Sequence, residues 1–211
     1  MQDITARTGD EFAQQYKRLA DFGLDLRVAC PAIVQTVDYE KQTLTALPAI
    51  REKMNDGQGN LSWVEIPLLL DVPFFIYSGG GYCLTLPIKT GDDCLIVFGD
   101  SCMDAWWQSG GIQNQVESRR HDLSDGFAIV GFRSQPAVVS GYSPETAQLR
   151  NKAGDAYVEI SGSTINIVGG NVNISAGSVN IGGSTTIDGK PFLPHTHSGV
   201  MSGPSDTGGV S

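Results

Sequence analysis

The chain has 211 residues and carries 23 Asp and Glu against 14 Lys and Arg, a formal net charge of −9, a balance that repels nucleic acid. Charged residues make up only 18% of it while Gly fills 26 positions, so solubility rests on Ser, Thr, Asn and Gly as well as on charge, and no collagen period accompanies the glycine. The most apolar run, residues 66–77, is broken by Pro67, Asp71 and Pro73 and falls far short of the roughly 20 apolar residues that cross a bilayer.

The opening MQDITARTGDEF has neither a basic nor an apolar stretch, so the expectation is a protein made and kept in a cytoplasm. The first element, residues 1–23, reads as a helix. Thr8 and Glu11 have capping-box spacing, Phe12, Tyr16 and Leu19 fall on one face, and Gly23 stands where the helix should stop. A single amphipathic helix cannot fold alone, so it is expected to lie as a flap on the next domain, with docking to a partner as the sharper alternative.

Residues 24–135 read as strands over 26–37, 43–50, 63–70, 82–88 and 94–98, separated by turn-forming clusters. The alternation Leu84, Leu86, Ile88, followed by Lys89-Thr90-Gly91-Asp92 and a second apolar run, predicts a hairpin. So few short strands close most readily into an OB-like barrel. Barrels of that kind often bind oligonucleotides on aromatic platforms beside a basic groove. Here Phe74, Phe75, Trp106 and Trp107 have only Arg119 and Arg120 as a cationic pair, which favours core packing or protein contact. Cys30, Cys83, Cys94 and Cys102 form no C-x-x-C pair and are expected as small buried thiols. His121, in a polar turn, reads as structural.

After a connector, residues 136–157, a period of seven runs through Val158-Glu159-Ile160, Ile165-Asn166-Ile167, Val172-Asn173-Ile174 and Val179-Asn180-Ile181, with Thr186-Ile187-Asp188 keeping the spacing but losing the apolar pair. The apolar residues stand at i and i+2, and the spacers are rich in Gly, Ser and Asn, so the period is not that of a coiled coil. An i, i+2 pair puts both side chains on one face of a short strand and the residue between them on the other. Seven residues cannot close a solenoid rung of roughly 20 residues, but three chains together can. Residues 158–190 are therefore expected to form a three-chain β-structure with the Val and Ile pairs inward.

Residues 191–211 are expected to form an apex. His195 and His197 lie at i, i+2, so a threefold assembly brings two imidazoles per chain to one axis, a donor set that suits iron, nickel, cobalt or zinc.

Several of these segments resemble the central spike proteins of contractile phage tails, also described as baseplate assembly protein V or membrane-puncturing spike proteins. The resemblance covers most of the chain and rests on IPLLLDVP at 66–73, GDDCLIVF at 91–98, HDLSDGFA at 121–128, the Val/Ile repeat, and His195-Thr196-His197 followed by Gly199. It implies a mainly β fold: an N-terminal helix, an OB-fold collar, an intertwined triple-stranded β-helix formed by a homotrimer, and a metal-bound apex. His195 and His197 of all three chains would hold one iron ion per trimer. Calcium or chloride along the axis is admitted by the same resemblance, with no ligand pattern to assign either.

The implied function is mechanical: a spike at the baseplate tip of the virion, assembled in the host cytoplasm, pierces the host outer membrane while its OB end meets the hub or tail tube. Larger spikes of this class carry a lysozyme domain between barrel and needle, for which the about two dozen residues from Ser134 to Tyr157 leave no room. An enzyme is not expected, since G-x-S-x-G, H-E-x-x-H and a phosphate loop are all missing and Pro191 stands where a phosphate loop needs Ser or Thr. The alternative is a trimeric receptor-binding tail fibre or adhesin. The chain ends in about 20 small, mostly uncharged residues, too few for a knob that presents a shaped surface.

Overall fold

The computed structural model describes residues 11–55, 58–192 and 203. The chain is mainly β and divides into two compact units, Met1–Val139 and Ser140–Ser211.

The first unit begins with helix α1, Glu11–Asp25. Gly23 lies inside this helix, which continues until Leu26 N–H donates to Phe22 O at 3.1 Å. Glycine lowers helix stability without forbidding it, so the expected stop is passed by two residues. Tyr16, Leu19 and Phe22 remain exposed, against the expectation of a packed flap. Thr8 of the expected capping box lies outside the described residues.

Strands β1 (Ala29–Asp38) and β2 (Thr43–Pro48) form an antiparallel pair. Its turn is pinned by Asp38 Oδ1, which accepts from the backbone N–H groups of Glu40 and Lys41, each at 3.0 Å. Two short hairpins follow on either side of β5 (Leu69–Pro73): β3 (Glu52–Asn55) with β4 (Leu61–Val64), and β6 (Tyr77–Gly79) with β7 (Tyr82–Leu84). Then come β8 (Asp93–Phe98), helix α2 (Asp104–Ser109) and β9 (Gly126–Val130).

Five strands join in the order β5-β2-β1-β8-β9. The sheet curls into a half-barrel until its outer strands meet: Phe74 forms a parallel bridge with Ala128, and Phe75 N–H donates to Ala128 O at 2.8 Å. Strict alternation fills the interior, as in β8, where Cys94, Ile96 and Phe98 are buried and the residues between them are not. Ala32, Val34, Leu44, Ala46, Leu69 and Val72 complete the core from the neighbouring strands. At Gly126 a Cβ would lie 2.9 Å from Ile96 Cγ2, so the strand can approach the core this closely only without a side chain.

The expected hairpin between residues 84–88 and 94–98 does not form. The turn exists, with Asp92 N–H on Lys89 O at 3.0 Å, but Gly91 N–H donates to Val34 O and Val34 N–H to Asp92 O. The turn therefore docks on β1, and β8 takes β1 and β9 as its partners. Cys94 and Cys102 are buried as expected, Cys30 is half-buried, and Cys83 is exposed along with the rest of β7.

The second unit holds a three-stranded meander of β10 (Ala147–Arg150), β11 (Tyr157–Ser161) and β12 (Thr164–Val168), then a small hairpin of β13 (Thr186–Ile187) and β14 (Lys190–Pro191). The β10–β11 connection is tied by Asn151, whose Oδ1 accepts from Gly154 N–H at 2.8 Å and whose Nδ2 donates to Asp155 Oδ1 at 2.6 Å. Gly154 has φ +80, and a Cβ there would lie 2.0 Å from Arg150 Nη2. The turn needs glycine on both counts. Arg150 in turn donates to Gly141 O at 2.6 Å and Ser140 O at 3.1 Å.

Candidate functional site

The register of β11 on β12 decides what the repeat can do. Val158 faces Ile167, Glu159 faces Asn166 and Ile160 faces Ile165 across an antiparallel pair. A two-residue turn, Gly162-Ser163, joins the strands, with Gly162 at φ +57 as tight hairpins require. Strand β10 adds Leu149 opposite Val158 and Ala147 opposite Ile160. One face of the sheet is therefore wholly apolar, and Leu149, Val158, Ile160, Ile165 and Ile167 on it are all exposed.

The opposite face is a bonded polar ladder. Glu159 accepts from Gln148 Nε2 at 2.5 Å, from Thr146 Oγ1 at 2.9 Å and from Asn166 Nδ2 at 3.1 Å. These donors, Gln148 first, hold its carboxyl below the usual range, because each favours the charged form. Beyond β12, Val172, Ile174, Val179 and Ile181 are exposed as well, and residues 171–185 form no strand.

The first unit contributes a second cluster. Asp125 is fully buried and accepts from Met103 N–H at 2.8 Å, from Arg119 Nε at 2.7 Å and from Arg119 Nη2 at 3.0 Å. Arg119 also reaches Asp104 at 2.8 Å and Glu117 at 2.9 Å. Its hydrogen bond is the main reason that the Asp104 carboxyl sits below its ordinary range. Cys102, Asp104 and Asp125 offer ligand atoms within 4.8 Å of one another, but the guanidinium already binds both carboxylates. The cation in this cluster is the protein's own, and its role is to lock the α2 loop to the start of β9.

Arg120 is paired with Asp100 at 2.5 Å. His121 takes φ +48, with Nε2 3.7 Å from Asp100 Oδ1 and Nδ1 buried without a partner. Of the four aromatics singled out from the sequence, Phe74 packs on the core, while Phe75, Trp107 and Trp106, whose ring lies 5.8 Å from that of Phe127, are exposed.

His195 and His197 lie outside the described residues. The sequence pattern located the apolar face of the repeat. It missed the Arg119–Asp125 lock, whose members share no periodicity, and the polar ladder, for which the seven-residue spacing of Glu159 and Asn166 was the available signal.

The first unit is a curled half-barrel, and the repeat that follows it in the chain has one uncovered apolar face. Residues 30–131, the span of the curled sheet, match the family model described as the phage protein Gp138 N-terminal domain. That match covers just under half of the chain and supports a phage structural protein, located with the virion. No curated protein matches the chain.

Proposed function

We propose that this chain is the central spike of a contractile phage tail: a homotrimer whose barrel end, an OB-fold collar, meets the baseplate hub or tail tube and whose repeat forms the needle that pierces the host outer membrane. The observation that carries this reading is the apolar face of β10–β12, exposed in the single chain directly after a phage-type barrel domain. An antiparallel sheet with one polar face must bury the other, and three copies around an axis do so with the charge-poor composition of residues 158–211. The OB reading is supported by the strand order β5-β2-β1-β8-β9 and by the parallel bridge that joins its ends. The role is mechanical, without catalysis.

The metal at the apex belongs to the same proposal. The donor chemistry of His195 and His197 fits it: two neutral imidazoles per chain, six per trimer, suit a divalent transition metal. The ion would tie three chain ends together where few apolar side chains are left to hold them.

Deleting residues 158–211 tests the function directly. The expected result is a soluble barrel unit and particles that assemble poorly or fail to penetrate; normal infectivity would reduce the needle to a decoration. Elemental analysis tests the apex. Expected is one metal per three chains, released in mild acid as imidazoles with a reference pKa of about 6.5 take up protons. The ion should be absent from a His195→Ala, His197→Ala double variant that still trimerises. Equal metal content in that variant would refute the site.

A further inference from the structure

We infer that the long β8–β9 connection, residues 99–125, is a prebuilt docking loop whose uncharged tip, residues 105–116, inserts into an apolar cleft of a second structural protein with a basic or uncharged rim. This inference rests on the reading of the barrel as the end that meets another tail component, and it names the surface that makes the contact.

The length of the connection is the first sign. Strands β8 and β9 are direct antiparallel neighbours: Phe98 pairs with Gly126, and Gly99 N–H donates to Asp125 O at 2.8 Å. Such neighbours need a turn of only about 2–5 residues, and connections longer than about 12–15 residues usually carry function.

The connection is also held in one shape. At its base Arg119 donates to Asp104, Glu117 and the buried Asp125, Asp125 accepts from Met103 N–H, and Arg120 donates to Ser101 Oγ at 2.9 Å. At the tip Gly110 N–H donates to Trp106 O and Gln113 Nε2 to Gly110 O, both at 2.8 Å, while Gln115 Nε2 donates to Arg119 O at 3.3 Å. A surface ordered before binding loses less conformational freedom on binding.

What this frame presents is apolar. Trp106 and Trp107 are 46% and 42% exposed, Val116 is 67% exposed, and Ile112 is fully exposed. No residue from 105 to 116 is charged. Two tryptophans among uncharged residues, flanked by Asp104 and Glu117, have the composition of an interface core with a polar rim. The Gln and Asn side chains between them offer hydrogen bonds that select a foreign protein, whereas the repeat face offers only Val, Ile, Leu and Ala.

Charge decides the class of partner. Within 99–125 the carboxylates of Asp100, Asp104, Glu117, Asp122 and Asp125 oppose Arg119 and Arg120, and both arginines are already in ion pairs. The loop stays net negative even with His121 protonated. An anionic lipid surface is drawn to free Lys and Arg beside the inserted aromatics, and nucleic acid is repelled. A protein cleft with a basic or uncharged rim complements this loop.

Sedimentation of lysates from infected cells, with the chain followed by immunoblot, separates particle-bound from free chain. Ile112→Asp and Trp107→Ser are each carried by the phage. Ile112 is fully exposed, so its substitution leaves the fold alone, and the purified full-length variants should keep wild-type mass and barrel unfolding. Expected is a fall of about tenfold or more in the ratio of bound to free chain for each, the scale of losing one central anchor. Ile50→Asp, exposed on the same unit outside the loop, should leave the ratio unchanged. A wild-type ratio with either loop variant would overturn the inference, as would an equal fall with Ile50→Asp. The wild-type chain should not float with phosphatidylglycerol vesicles, and flotation that Ile112→Asp abolishes would overturn the protein partner in favour of a membrane. Absence of the wild-type chain from particles would overturn the spike reading as well, whereas normal binding by the loop variants leaves that reading standing.

Discussion

Val34, Leu44 and Ile96 in the barrel and Val158, Ile165 and Ile167 in the repeat are chemically alike, yet the first three are 0–2% exposed and the second three 41–67%. The barrel strands curl until their own inner faces meet, so each apolar residue finds its neighbours within about a hundred residues of one chain. The repeat strands are too short and too few to curl. The five-residue strands β11 and β12, joined by a two-residue turn, and the four-residue β10 beside them make a small sheet whose apolar face is left uncovered. One region therefore completes its core alone, while the other leaves an apolar face uncovered, the face that the proposed trimer would bury. Stability of the barrel and formation of the assembly should then respond to different substitutions.

The largest separation is expected from Ile167→Asp, on the uncovered face of β12. In the assembly it places one carboxylate per chain in an apolar interior, at several kcal/mol each even after relaxation. Sedimentation should find the trimer lost, while the thermal unfolding of the barrel unit is unchanged. Asn166→Asp, on the polar face, should keep the trimer. If Asn166→Asp dissolves the trimer and Ile167→Asp does not, the two faces have been assigned the wrong way round.

Arg119→Ala should act in the opposite sense, on the barrel and not on the assembly. It leaves the buried Asp125 carboxylate with only the Met103 N–H as a partner among the contacts described. Removing one member of a buried pair costs about 3–5 kcal/mol. Urea unfolding of the barrel should shift by about that amount with trimer mass unchanged; a shift of less than about 1 kcal/mol would make the cluster a surface ion pair.

How far the sequence carried depends on where each signal lies. Alternation such as Cys94, Ile96, Phe98 is a local property, and strand β8 appears within a residue of its expected start. The partner of that strand is not local. The turn at residues 89–92 looked like a hairpin turn, and only its hydrogen bonds to Val34 and Gln35 show that β1 had claimed the adjacent edge. The two side hairpins, β3–β4 and β6–β7, lack a clean alternation because their residues are almost all exposed, so the sequence marks them only in part. In the repeat the period was plain, and the apolar face follows from it. The antiparallel pairing of Val158 with Ile167 was hidden, because a seven-residue spacing is equally compatible with strands that turn back and strands that wind on.

The smallest effect concerns the polar ladder, and it sharpens the comparison because it belongs to the repeat alone. Glu159 is held charged by the donors Gln148, Asn166 and Thr146, so its folded pKa lies below the ordinary 4.5. A carboxylate with a depressed folded pKa contributes stability that is present above its unfolded value and lost as pH falls through the folded one. The repeat should therefore weaken below about pH 4.5 as Glu159 takes up a proton. Glu159→Gln keeps the shape but replaces one accepting oxygen by an amide N–H₂, so one of the groups that now donate, Gln148, Thr146 or Asn166, must turn to accept, and the variant should be less stable at neutral pH. Its profile should also be flatter in the acid range. Hydrogen exchange of the β11 and β12 amides as a function of pH measures both. If wild type and variant show the same acid profile, the ladder carries no pH dependence.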